Sequence, residues 1–259
     1  MSILEIKNLS KSFDKEKVIN HLNLSIEPGI IFGLVGPNGA GKSTTIDCIM
    51  DILNFEEGQI TVFERDSRKG ALYIKKKSAL FLENNDDLFI HLTGTEHLQF
   101  VGELYGLDRV EIKKRIEILV EYFDLLDMQH KLIRTYSKGT KKKLSLASIL
   151  IHNPDFIILD EPFDGLDSIT VIKLKKLIKI LKEKGKTLLV TSHILSYIED
   201  IADEVAIINK GEIIFQSETK NIRNKIKNKM TQQTYASLED IFVDLLKNDE
   251  KAEQELYWL

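Results

Sequence analysis

Gly36-Pro37-Asn38-Gly39-Ala40-Gly41-Lys42-Ser43 matches the pattern in which a glycine-rich turn lets backbone amides converge on phosphate oxygens. Lys42 can reach the β and γ phosphates, the Ser43 hydroxyl can ligate Mg²⁺, and Thr44 can assist at the α-phosphate. A second run, Phe156-Ile157-Ile158-Leu159-Asp160-Glu161, ends four apolar residues in two acids. Paired with the phosphate loop, Asp160 suits Mg²⁺ held through water, and Glu161 suits a base that orients and deprotonates an attacking water. An Asn-Lys-x-Asp guanine reader is absent. Asn228-Lys229-Met230-Thr231 carries threonine where the acid belongs, so guanine specificity is not expected.

Such residues work only when strands and helices aim them. Ile30 to Val35 is a continuous apolar run between the turn Glu27-Pro28-Gly29 and the glycine loop, as expected of a buried strand feeding a loop and a helix. Ser78 to Leu82, Phe156 to Leu159, Thr187 to Val190 and Glu204 to Ile208 read the same way. An amphipathic helix with Ile169, Ile172, Leu174, Leu177, Ile178 and Leu181 lies between two of them. Buried strands alternating with helices predict an α/β fold with a largely parallel sheet, which binds ligands at the carboxyl ends of its strands. The earlier runs Leu4/Ile6 and Leu22/Leu24/Ile26 alternate and predict a β-rich N-terminal lobe.

Thr93-Gly94-Thr95-Glu96 is a capping box, and a helical period continues from it to about Ile151. Leu98, Val101, Leu104 and Tyr105 make one expected face, and Ile112, Ile116, Leu119, Val120 and Phe123 another. These residues form a helical insertion in the α/β core. The tail from about Lys220 reads as helical and charged. Its basic stretch Lys220 to Lys229 is read as a solvated helix face.

Hydrophobic residues at 43% and charged residues at 29% exclude a collagen-like or wholly disordered chain. A net charge of −4 gives no global footprint for nucleic acid. No apolar run approaches the roughly 20 residues that cross a bilayer. The N-terminus lacks the pattern of a secretory signal, and the single Cys48 cannot form an internal disulfide, so the expected compartment is the cytoplasm and the expected role of Cys48 is core packing.

The order of motifs resembles the ATP-binding cassette family over about residues 1–217. Tyr136-Ser137-Lys138-Gly139-Thr140 stands where that family has Leu-Ser-Gly-Gly-Gln, about twenty residues before the second acidic strand. Pro162-Phe163-Asp164-Gly165-Leu166-Asp167 resembles its D-loop, and His193 in Val190-Thr191-Ser192-His193 resembles its switch histidine. Phe13 matches the aromatic that stacks on adenine. Glu83 stands at the Q-loop glutamine, with Gln99 as the competing candidate. Lys138 and Thr140 depart from the family's glycine and glutamine. Ser137 is a good helix N-cap and Gly139 permits close approach, so the following helix can turn its positive end toward an anion.

The resemblance implies a RecA-like P-loop NTPase core at about 1–83 and 152–217, an N-terminal antiparallel β lobe, and an inserted α-helical subdomain at about 84–151. Together these make an ATPase domain of 1–219 with a helical tail of 220–259. It implies catalytic Glu161 and His193. It implies nucleotide contacts from Phe13, Gly36, Pro37, Asn38, Gly39, Ala40, Gly41, Lys42, Ser43 and Thr44, with Ser137, Lys138 and Gly139 acting on the partner's nucleotide. Mg²⁺ would meet Ser43, Glu83 and Asp160. ATP and Mg²⁺ are thus the implied ligands. The implied partners are a second nucleotide-binding subunit and transmembrane permease subunits, with no nucleic acid, at the cytoplasmic face of the membrane. Tyr-Ser-Lys-Gly and Ser237-Leu238-Glu239-Asp240-Ile241-Phe242 resemble the ABC-2 type exporters, and the loop with Leu88, Phe89 and Ile90 is the expected socket for a permease helix. A soluble cassette acting on ribosomes or DNA is the alternative.

Overall fold

The computed structural model describes residues 2–14, 16–82, 88–226 and 234–246. Among these, two sheets and nine helices follow the order β1 (Leu4–Phe13), β2 (Glu16–Ile26), β3 (Ile31–Val35), α1 (Lys42–Ile49), β4 (Glu57–Val62), β5 (Arg65–Asp66), α2 (Ala71–Lys77), β6 (Ser78–Phe81), α3 (Gly94–Leu104), α4 (Arg109–Tyr122), α5 (Lys138–Leu150), β7 (Phe156–Leu159), α6 (Ser168–Glu183), β8 (Thr187–Ser192), α7 (Leu195–Ile201), β9 (Glu204–Asn209), β10 (Glu212–Glu218), α8 (Thr219–Lys225) and α9 (Leu238–Leu246). A four-stranded antiparallel sheet runs β2-β1-β4-β5. A six-stranded sheet runs β10-β9-β3-β8-β7-β6, parallel throughout except for β10 at its edge.

The apolar run of each parallel strand is explained by its two covered faces. Along β7, Phe156 and Ile158 join the cluster that also holds Leu4, Ile6, Leu22 and Ile60 of the N-terminal lobe. Ile157 and Leu159 point the other way, into a cluster with Leu98, Ile112, Ile116, Val120 and Phe123 of the helical insertion. One sheet therefore fastens the lobe on one face and the helices on the other. Cys48 lies wholly buried in the first cluster, where desolvation pushes its thiol up to about 11. It acts as a small apolar side chain.

Thr93 caps α3 through a reciprocal capping box with Glu96, as expected. Other expectations need correction. Leu104 is 71% exposed, because the buried face of α3 is set by Leu98 and Gly102. Tyr105 leaves the apolar face to stack on His152 with ring centroids 3.7 Å apart. On α6 the buried residues are Val171, Leu174, Leu177 and Ile178, leaving Ile169 and Ile172 on the opposite, exposed side. Leu88 is a core residue, while Phe89 and Ile90 beside it are exposed. The tail returns to the core: Leu238 and Ile241 of α9 are buried, and the Leu238 amide donates to Glu199 of α7 at 3.0 Å. Of the basic stretch, residues 227–229 lie outside the described residues, as does the end of the tail.

Candidate nucleotide site

The carboxyl edge of the parallel sheet gathers the loop after β3, the acids after β7 and the turn after β8. Gly36 leaves β3 where a Cβ would come within 2.3 Å of the Ile208 carbonyl oxygen, so only glycine lets the loop pass β9. Gly41 adopts φ +104 and caps α1 with no side chain, and the first turn of α1 carries no acid. The helix thus turns open amides and the positive end of its dipole into the cleft, as an anion site requires. Lys42 is buried. Its ammonium donates to the carbonyl oxygens of Gly36 at 2.8 Å and Pro37 at 3.2 Å. The cleft, about 290 Å³, is lined by Val18, Asn38, Gly39, Gly41, Lys42, Ser43, Thr44 and Glu161.

The acids connect directly to this loop. Ser43 Oγ donates to Asp160 Oδ2 at 2.8 Å, while Thr191 Oγ1 on β8 donates to Asp160 Oδ1 at 2.6 Å. Ser43 and Asp160 offer only oxygen, which suits Mg²⁺, a hard cation that takes one or two protein ligands and fills its shell with phosphate and water. The donor set therefore fits Mg²⁺ with a polyphosphate. Asp47, on the same helix as Ser43, has its carboxyl pushed above the usual range by burial and then by the charge of Asp160.

Glu161 follows with a left-handed backbone, φ +46, a conformation that costs a non-glycine residue about 1–3 kcal/mol and persists only where its surroundings enforce it. They do. Its amide donates to Thr191 Oγ1 at 2.9 Å, and its Oε2 accepts from the His193 amide at 3.1 Å and pairs with His193 Nδ1 at 2.9 Å. Its Oε1 is buried without a hydrogen bond and lies 3.6 Å from the Lys42 ammonium. One carboxylate oxygen is thereby fixed and the other faces the loop lysine, an arrangement compatible with a general base.

The expected residues do not all meet here. The P-loop, Asp160, Glu161 and His193 converge. Phe13 lies exposed at the tip of the β1–β2 hairpin, with the Lys11 ammonium 5.1 Å from its ring centroid, and the cleft is lined instead by Val18 of the same hairpin. Gln99 points away, its amide donating to Glu103 within α3. Glu83 lies outside the described residues. Ser137 caps α5, accepting from the Thr140 amide at 3.1 Å and bonding the Thr140 hydroxyl at 2.8 Å. Ser137 and Lys138 are exposed, and a Cβ on Gly139 would meet nothing within 4 Å. None of the three lines the cleft of its own chain. Two residues went unread in the sequence, Val18 and Thr191. The latter's place, two before His193 at the end of a buried strand, was the available signal.

A profile of the family described as ABC transporter matches residues 19–164. The chain is 35% identical to the ABC transporter ATP-binding protein NatA of Bacillus subtilis over 85% of this chain and 91% of that one. It is 33% identical to the bacitracin transport ATP-binding protein BcrA of Bacillus licheniformis, over 91% of this chain and 77% of the relative. A solved structure described as the ATP binding subunit of an ABC transporter superposes with a TM-score of 0.86 at 29% identity, covering 94% of this chain and 99% of that one. A P-loop, an acid pair and a histidine-held glutamate at one sheet edge agree with these likenesses, and the chain belongs to the family of ABC transporter ATP-binding proteins.

Proposed function

We propose that this chain is the ATP-hydrolysing subunit of a membrane exporter of the ABC-2 type, one that moves a drug, peptide or polymer outward. The observation that carries the chemistry is the split environment of Glu161, with Oε2 held by His193 and Oε1 open toward Lys42. Glu161 takes the proton of the attacking water, and His193 holds that carboxylate in line. Gly36 to Gly41 present amides to the phosphates, Lys42 meets the β and γ oxygens, and Thr44 sits at the α position. Ser43, and Asp160 through water, would hold Mg²⁺, which would supply positive charge against that developing on the phosphate oxygens. Glu83 is a third candidate ligand by its place in the sequence alone. Phe13, exposed at the hairpin tip, is the candidate to stack on adenine by its place in the sequence alone.

The ATPase domain is assigned to 1–219 and the tail to 220–259. Ser137, Lys138 and Gly139 face outward and serve the nucleotide of a second subunit, so the working unit is a head-to-tail dimer. Phe89 and Phe100, exposed with ring centroids 5.0 Å apart, and the exposed Ile90 and Leu104 form an apolar face suited to a permease helix at the cytoplasmic side of the membrane. Purifying the tagged chain from detergent-solubilised membranes tests this reading. An integral membrane protein should accompany it and raise its ATP turnover, and Phe89→Asp with Phe100→Asp should break that association. Recovery with ribosomes or DNA and no membrane protein would overturn it.

A further inference from the structure

Lys142 has no part in the roles above, yet it is one of the largest wholly buried side chains among the described residues. It lies on the second turn of α5, directed away from the outward-facing Ser137 end and toward the catalytic strand. Its ammonium donates to the backbone carbonyl oxygen of Asp164 at 2.6 Å and to that of Glu161 at 3.3 Å, and lies 5.5 Å from the Phe81 ring centroid. Removing an ammonium from water is costly unless oriented dipoles replace its hydration. Here two carbonyls of one turn do so, and that turn is closed by the Asp164 amide donating to the same Glu161 carbonyl at 3.3 Å.

The place of this contact gives it consequence. Glu161 holds a left-handed backbone and is braced at its amide by Thr191 and at its carboxylate by His193, both from the β8 side. Lys142 braces the remaining group, the carbonyl, and comes from the second turn of the helix whose N-terminus is exposed for a phosphate of the second subunit. The same helix touches the D-loop once more, where a Cβ on Gly165 would lie 3.7 Å from the Lys138 ammonium.

We infer that Lys142 is a positioning residue that ties α5 to the backbone of Glu161 and the D-loop. Docking of the α5 N-terminus on the partner's nucleotide thereby sets the place of the base in the chain's own cleft. This rests on the outward-facing role proposed for Ser137 and Gly139.

The test compares Lys142→Met, which keeps length and packing but donates nothing, with Lys142→Gln, which can reach a single carbonyl. ATP affinity, ATP-driven dimerisation and turnover per bound nucleotide are measured for each, beside Ser137→Arg. Both Lys142 variants should bind ATP within about 2-fold of wild type and still dimerise. kcat should fall roughly 10-fold or more in Lys142→Met and several-fold in Lys142→Gln, with KM unchanged. A general loss of packing would lower the melting temperature and the bound fraction together, without that ranking at constant KM. If Lys142→Met does not fold, Lys142→Gln decides alone. Wild-type kcat in Lys142→Gln, or in a folded Lys142→Met that still dimerises, overturns the tie and leaves the in-trans reading intact. Normal dimerisation and turnover in Ser137→Arg overturns the in-trans reading, and the coupling with it.

Discussion

At the P-loop the polar side chains close on one another, whereas at the N-terminus of α5 they open to solution. Lys42, Ser43, Asp160, Glu161, Thr191 and His193 form one connected set of hydrogen bonds and an ion pair, most of it buried. Ser137, by contrast, bonds its own first turn through Thr140, and the exposed Lys138 beside it has its ammonium near Gly165 of the D-loop. Both regions are helix N-termini, α1 and α5, and both offer amides to an anion. The first is finished by its own chain. The second has its positive end turned outward, with three lysines following that slightly oppose the dipole until an anion arrives. In the proposed reading a single chain carries one complete phosphate cradle and one half-site, and the predictions ask whether the two are separable.

The largest effect is expected at the open end. Ser137→Arg should reduce turnover to background while ATP affinity of the isolated chain stays within about 2-fold, because an arginine there fills the approach to a partner and touches nothing in its own cleft. Titration of the monomer with ATP, followed by ATP-driven dimerisation, checks this. Weakened binding by the monomer would show that the half-site belongs to its own cleft and would break the contrast.

At the closed end the expected losses are smaller and purely chemical. Glu161→Gln removes the base yet keeps the shape that His193 holds, so hydrolysis should fall roughly 10²-fold with ATP binding retained. ATP-bound dimers should accumulate, visible by size-exclusion chromatography. Near-normal turnover would remove Glu161 from the role. His193→Ala frees Oε2 from its imidazole partner but leaves the backbone amide of residue 193 as a donor, so a loss on the order of 10-fold is expected, with ADP affinity unchanged. Equal losses of ADP and ATP affinity would make His193 a structural prop.

The two regions also differ in how far the sequence discloses them. The P-loop is legible because its demands are local: Gly36 must pass the Ile208 carbonyl and Gly41 must take φ +104, and such demands write glycines at fixed spacing. The strand of Asp160 and Glu161 is legible because a sheet covered on both faces needs four consecutive apolar residues. Thr191 and Lys142 are not legible, since their partners are set by which strands and helices become neighbours. A threonine on β8 matters only because β7 lies beside it. A lysine in a basic run reads as solvated until α5 is seen to pack under the D-loop. Periodicity misleads at Ile169, Ile172 and Leu104 for a related reason. A helix of 3.6 residues per turn offers more apolar positions than one face can bury, and packing against β8 or α4 decides which stripe goes inside.

The smallest effect separates stability from phosphate contact at the open end. Ser137 caps α5 and Asp108 caps α4 in the same way, each accepting from amides of its first turn: Thr140 in one case, Val110 and Glu111 in the other. Both caps are exposed. Replacing either with alanine should cost about 1 kcal/mol, read as a fall in melting temperature of roughly 2–4 °C for a chain of this size. If Ser137 were only a cap, Ser137→Ala and Asp108→Ala would behave alike and both would keep wild-type turnover well below the melting transition. If its hydroxyl and the amides behind it also meet the partner's nucleotide, the two must diverge. Ser137→Ala should then lower kcat several-fold and weaken ATP-driven dimerisation, while Asp108→Ala, with the same loss of stability, keeps both. The comparison needs no absolute value of either cap, because each variant calibrates the other. Equal turnover in the pair would reduce the half-site to its backbone amides, leaving Gly139 and the helix dipole as what the second subunit's phosphate meets.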